Sequence, residues 1–149
     1  MSDGITADAK PLFDLAADLE ATANAIEDNI KAAVQQTAIK TKKFWQADAR
    51  KEAGNRTRGY PGSIDYTETR ETAFGRVRFS AEIGPNLARY GGKTGKKGLQ
   101  PSLGVLELAL GNVRAKPRDS IRRAYSFAET ELATGVNIAI EQTMRRYRL

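Results

Sequence analysis

Two long stretches in which apolar residues recur every three or four positions flank a short centre of alternating residues and glycines. That contrast constrains the fold most. A 3.6-residue period makes a helix with one apolar face, and a period of two makes a strand. Each helical face must be covered by something. The order predicts an α+β chain: a long N-terminal helix, a central antiparallel β-hairpin or small sheet, and a long C-terminal helix. Residues 1–8 are expected to form a flexible N-terminus, and residues 9–149 a single domain.

The first stripe runs through Leu12, Leu15, Ala16, Leu19, Ala23, Ile26, Ile30, Ala33, Val34, Thr37 and Ala38, and Phe44 and Trp45 extend it. Asp8 is a suitable cap and Pro11 suits the first turn. Acidic residues crowd the first half and Lys40, Lys42, Lys43, Arg50 and Lys51 the second, in the sense that complements the helix dipole. One unbroken helix from about 9 to 51 would be roughly 60 Å long. A bend near Gln35–Thr41, giving two helices, is the alternative. Either element outruns a compact domain of this length, whose radius of gyration is about 15 Å.

Gly54, Gly59, Pro61 and Gly62 break the chain. Residues 63–72 then alternate, with Ile64 and Tyr66 on one face, and residues 76–83 alternate more cleanly, with Val77, Phe79, Ala81 and Ile83 inward. Ala73-Phe74-Gly75 reads as a three-residue hairpin loop, with Gly75 supplying positive φ. Gly84-Pro85-Asn86 is expected to end the hairpin. Residues 88–101 hold four glycines and four basic residues and are expected to form a mobile or partner-ordered loop. Leu103–Leu110 reads as a third strand or a short buried helix. Pro117 and Asp119 introduce the last helix, whose apolar face is Ile121, Ala124, Tyr125, Ala128, Leu132, Val136, Ala139 and Ile140. Gly135 either weakens that helix or lets another backbone approach closely.

The chain has no cysteine and no histidine. That removes disulfides, thiol nucleophiles, cysteine-based zinc sites and the commonest catalytic base. Acid pairs such as Glu68 and Glu71 are expected by chance among 18 acidic residues. Gly91-Gly92-Lys93-Thr94-Gly95-Lys96-Lys97 lacks the spacing of a phosphate-binding loop. No catalytic, cofactor-binding or metal-binding residue is assigned, and the chain reads as a part that packs against other chains rather than as an enzyme. No N-terminal secretory pattern and no membrane-spanning run is present, so a soluble protein made in the cytoplasm is expected.

The net charge is +6, from 24 basic and 18 acidic residues. Such a surface favours nucleic acid, anionic membrane or an acidic protein. Lys93, Lys96 and Lys97 could contact DNA phosphates, although ordering of their loop by a neighbouring protein chain is the stronger expectation; the two are compatible if the protein lines a DNA passage. Arg76 and Arg78 lie on the outward face of the second strand, and Arg145 and Arg146 complement the dipole at the last helix end. Phe44 and Trp45 are adjacent, so one enters the core while the other reaches a neighbour, or both serve core packing.

The order of these pieces resembles the head-to-tail connector or tail-completion proteins of long-tailed, non-contractile bacteriophages, especially those of actinobacteria. The residues that carry the resemblance are Ala81-Glu82-Ile83-Gly84-Pro85 at the hairpin end, the leucine-rich Leu103 to Asn112, and the proline turn Lys116-Pro117-Arg118-Asp119. In that family a Glu-Ile-Gly-Pro phrase ends the hairpin, which Glu82 to Pro85 match. Leu106-Glu107-Leu108 matches the second family phrase without its aromatic, and its glycine is displaced to Gly111. The turn proline lacks the usual preceding histidine. The overlap spans about residues 12–146.

The resemblance implies a structural virion protein: a homo-oligomeric ring, often hexameric, between a head-completion or adaptor protein and the tail tube or tail terminator. Genomic DNA would pass through the lumen with only non-specific proximity. No cofactor and no membrane is implied. Under this expectation Phe44, Trp45, Arg76, Arg78, Lys93, Lys96, Lys97, Arg145 and Arg146 are the candidate interface or lumen residues. The alternative function is a nucleic-acid-binding accessory protein, although no helix-turn-helix signature is present.

Overall fold

The computed structural model describes residues 10–52, 59–86 and 119–147. The order is α1 (Lys10–Glu52), a one-turn α2 (Tyr60–Ser63), β1 (Ile64–Ala73), β2 (Arg76–Pro85) and α3 (Ser120–Tyr147). This is the expected α+β arrangement. Asp8, the loop over 88–101 with Lys93, Lys96 and Lys97, and the Leu103–Leu110 segment lie outside the described residues.

α1 is a single helix of 43 residues, about 64 Å long. No glycine or proline falls between Leu12 and Glu52, so nothing in the sequence forces a break. The region of the alternative bend is also held from outside. Lys40 Nζ bonds Glu131 Oε2 of α3 at 2.6 Å, and Ala33 lies against Gly135.

α3 packs antiparallel along α1. Pairs along the contact run Asn29–Thr143, Ala33–Gly135, Lys40–Glu131, Phe44–Phe127 and Asp48–Arg123. The buried seam is built from small residues: Ala33, Thr37, Ala38, Thr41 and Ala49 against Ser120, Ala124, Ala139 and Thr143. Small side chains let the two backbones approach, as at Gly135. Where a hydroxyl bonds the helix backbone its burial is not a net loss, whereas Thr41 Oγ1 is buried without a partner. Thr143 Oγ1 donates to the Ala139 carbonyl at 2.8 Å and accepts from Asn29 Nδ2, while Thr22 Oγ1 donates to the Asp18 carbonyl.

The strands pair from Ile64↔Pro85 to Ala73↔Arg76. The connection is therefore two residues, not three. Phe74 and Gly75 both have positive φ, 50° and 71°, which is the type I′ geometry that matches strand twist. Ala73 joins the ladder because that turn needs only two residues outside it. The hairpin also runs two residues past the expected end, since Pro85 occupies the last rung, where a missing N–H is tolerated.

The inner face of β2 leans on the helices. β1 turns polar toward the tip, and there Arg70 bonds Glu27 of α1 and lies over the Phe79 ring. The bulky core sits where the C-terminal part of α1, α2, the strand ends and the start of α3 converge: Trp45, Ala49, Tyr60, Ile64 and Ala124, with Ile83 against them. Hydrogen bonds lock this corner. Gln46 Nε2 donates to the Ile64 carbonyl at 3.0 Å, Ser63 Oγ to the Tyr60 carbonyl at 2.7 Å, and the Asn86 amide to the Ser63 carbonyl at 2.9 Å.

Candidate interaction surfaces

Among the described residues, apolar surface is left exposed at the start of α1, in a groove between α3 and β2, and at the hairpin tip. The first is the start of α1. Every residue from Lys10 to Ala21 is exposed, although Leu12, Leu15 and Leu19 continue the spacing of the seam. Leu12 is 69%, Phe13 73%, and Leu15 and Leu19 each 54% exposed. The pairing of α1 with α3 explains this. Asn29 meets Thr143 four residues before α3 ends at Tyr147, so the seam loses its partner near Thr22. These leucines belong to the expected apolar stripe but have no cover.

The second surface is a groove of about 310 Å³ between Thr41 and Trp45 of α1, Ala81 and Ile83 of β2, and Ile121, Ala124, Tyr125 and Ala128 of α3. Tyr125 is largely exposed at its edge, and Leu132 further along the same helix is partly exposed. Two groups in the groove wall are buried without a hydrogen-bond partner, Thr41 Oγ1 and Trp45 Nε1. Behind Trp45 lies the hydroxyl of Tyr60, also buried without a hydrogen bond. Burial pushes this phenol up to about 12, and the nearby Trp45 indole N–H, short of hydrogen-bond geometry, works weakly the other way.

The third surface is the hairpin tip. Phe74 is completely exposed on the turn. Residues Arg70 to Arg76 around it are all exposed as well.

The described candidate residues separate into two groups. Trp45 is buried in the core, and Phe44 stacks on Phe127 of α3, ring centroids 4.4 Å apart and nearly parallel. Both aromatics thus have partners within the chain. Arg76 and Arg78 are exposed on the outer side of β2. Arg145 contacts Glu141 one turn back at 3.5 Å, and Arg146 lies over the Tyr147 ring; both are exposed. Arg76 and Arg78 share the hairpin, while Arg145 and Arg146 cap the far end of α3.

One ionic cluster had no signal in the sequence. Arg123 donates from Nε to Asp48 Oδ2 at 2.9 Å and from Nη2 to Glu52 Oε1 at 2.8 Å. It ties the start of α3 to the end of α1. The hydrogen bond and charge of Asp48, then Glu52, raise the guanidinium pKa further. Among the described residues no group of three or more histidine, cysteine, aspartate or glutamate side chains is placed to hold a metal ion. No described helix is long and apolar enough to cross a membrane. No family model, curated protein or solved structure matches this chain.

Proposed function

We propose that this chain is a structural subunit of the neck of a long-tailed, non-contractile phage. In that reading it forms a ring that completes the tail and joins it to the portal–adaptor side of the head, with DNA passing through the lumen. The observation that carries the reading is the apolar surface left uncovered at separate places on one elongated framework: the start of α1, the α3–β2 groove and the hairpin tip. Exposed apolar patches of this kind mark sites of association. Their distinct shapes suit heterologous contacts, in which one face meets a different face of the next subunit and the rotation closes a ring. The helix–hairpin–helix order and the Glu82-Ile83-Gly84-Pro85 hairpin end agree with the resemblance to connector proteins.

The test is removal of the chain from an assembling phage. The expected lysate contains filled heads and separate tails by electron microscopy. A normal yield of joined, infectious particles would overturn the proposal. A nucleic-acid accessory role is read by a salt series on the isolated protein. The neck reading expects no DNA affinity beyond weak, salt-sensitive attraction.

A further inference from the structure

The uncovered start of α1 is a continuation of an interface already present. From Thr22 onward the stripe on α1 is filled by α3, which runs antiparallel to it. Over Lys10–Ala21, about 18 Å of helix, the same stripe continues as Leu12, Leu15 and Leu19 with no described helix opposite. An element that continued the α3 track over this stretch would be helical, apolar at steps of three and four, and antiparallel to α1.

We propose that a second copy of this chain fills this position: two copies pair antiparallel through residues 10–21 of α1, each supplying the helix that the other's α3 is too short to provide. Three features of the chain select this occupant. The first is direction. An α1 lying antiparallel to its twin points the same way as the twin's α3, so it continues the α3 track. The second is pattern, because the overhang offers Leu12, Leu15 and Leu19 to an identical set, as a two-fold, self-complementary contact requires. The third is charge. In this arrangement the start of one copy's α1, which opens on Lys10 with Asp14 and Asp18 in the turns behind it, approaches the end of the other's α3, so the positive pole of one helix dipole meets the negative pole of the other. Asp14 falls on the side of α1 away from the leucines, and Asp18 on their flank, one turn beyond Leu15.

The contact is small beside the ~800 Å² per partner of a standard stable interface, so the dimer is expected to depend on concentration. It joins free copies, goes beyond the neck reading, and is exchanged for a heterologous contact wherever the start of α1 enters a ring. Experiments on purified protein therefore decide it whatever phage lysates show.

The absence of cysteine makes the test direct. Leu15→Cys places a thiol near the middle of the overhang, close to the two-fold axis, and Ala17→Cys places one on the far side of the helix. On mild oxidation Leu15→Cys should give a covalent dimer at least tenfold faster than Ala17→Cys. By sedimentation, the unmodified chain should shift from monomer to dimer as concentration rises. Leu15→Glu with Leu19→Glu should stay monomeric with an unchanged melting temperature, since both side chains are exposed. Equal cross-linking of the two cysteine variants would overturn the proposal, as would an unmodified chain that stays monomeric at several hundred micromolar.

Discussion

Gly135 of α3 faces Ala33 of α1 so closely that a Cβ on the glycine would stand 3.3 Å from the alanine Cβ. The helices are brought together by what is missing at this point. A larger side chain must push the helices apart or turn into the open groove of about 230 Å³ that Ala33, Thr37, Gly135 and Ala139 line.

Substitutions at Gly135 should therefore divide by size. Gly135→Ala gains roughly 1 kcal/mol of helix propensity and loses a comparable amount to the tight methyl contact, so it should be close to neutral. Gly135→Leu should destabilise by about 1–3 kcal/mol. Ala33→Gly should cost less in the Gly135→Leu background than in the unmodified chain, because it removes the opposing methyl. Urea unfolding of the four proteins in a double-mutant cycle measures that coupling. A coupling near zero would show that the helices separate freely or that the leucine turns into the groove.

The Arg123 fork gives a second prediction. Asp48 and Glu52 are mostly buried beside it, while the guanidinium is 39% exposed. Arg123→Ala should cost about 1–2 kcal/mol, toward the lower figure because solvent screens an arginine this exposed. Arg123→Lys should recover little of it, since a point charge cannot bond both carboxylates in the geometry of a planar fork. The folded-state pKa of Arg123 lies above its ordinary value. Its stabilising effect is then fully present below the unfolded pKa and fades only as pH rises through the folded one, in strong alkali. Between pH 6 and 9 the cost of Arg123→Ala should be flat. Thermal melts across that range check it.

Tyr60 governs the alkaline edge of stability. Its pKa moves from 10.0 to about 12 because burial disfavours the phenolate. A raised folded pKa means that the folded state holds the proton more tightly. The contribution is complete below pH 10 and is lost as pH climbs toward 12, on the order of 1.4 kcal/mol per pH unit. Tyr60→Phe should flatten this fall. It should cost little at pH 7, because the hydroxyl it removes is buried without a hydrogen bond. Far-UV circular dichroism during alkaline titration follows both proteins. Parallel curves would mean that Tyr60 does not set the transition.

The periodicities made α1, the hairpin and α3 legible, because each pattern persists over enough residues to exclude the others. The uncovered overhang was not legible. Leu12, Leu15 and Leu19 have the same spacing as the covered part of the stripe, and only the length of α3 relative to α1 leaves them bare. The seam partners were hidden for a related reason. Arg123 meets Asp48 and Glu52 across more than 70 residues of chain, and no local pattern records that. The turn was misread by one residue because Phe-Gly is a poor sequence signal for a type I′ turn, where Asn-Gly is the usual one. Of the candidate basic residues, Arg76, Arg78, Arg145 and Arg146 are placed, and all four are exposed.

That turn supplies the last prediction. Phe74 adopts positive φ, which crowds its Cβ against the backbone and is uncommon for a bulky residue. Its ring is wholly exposed and has no packing within the chain to offset the strain. Stability alone would favour asparagine. Phe74→Asn should therefore stabilise the isolated protein, by about 0.5–1 kcal/mol, through a better type I′ turn. If the tip is one of the surfaces that meets another subunit or a neighbouring virion protein, the same substitution should weaken assembly, because aromatic side chains on exposed surfaces anchor interfaces. Phe74→Tyr should keep assembly and gain no stability. A melt of the purified variants and a count of joined particles in mutant lysates read the two effects separately. A stabilised variant that assembles normally would leave Phe74 as strain without a use, and would remove the hairpin tip from the surfaces assigned to the neck.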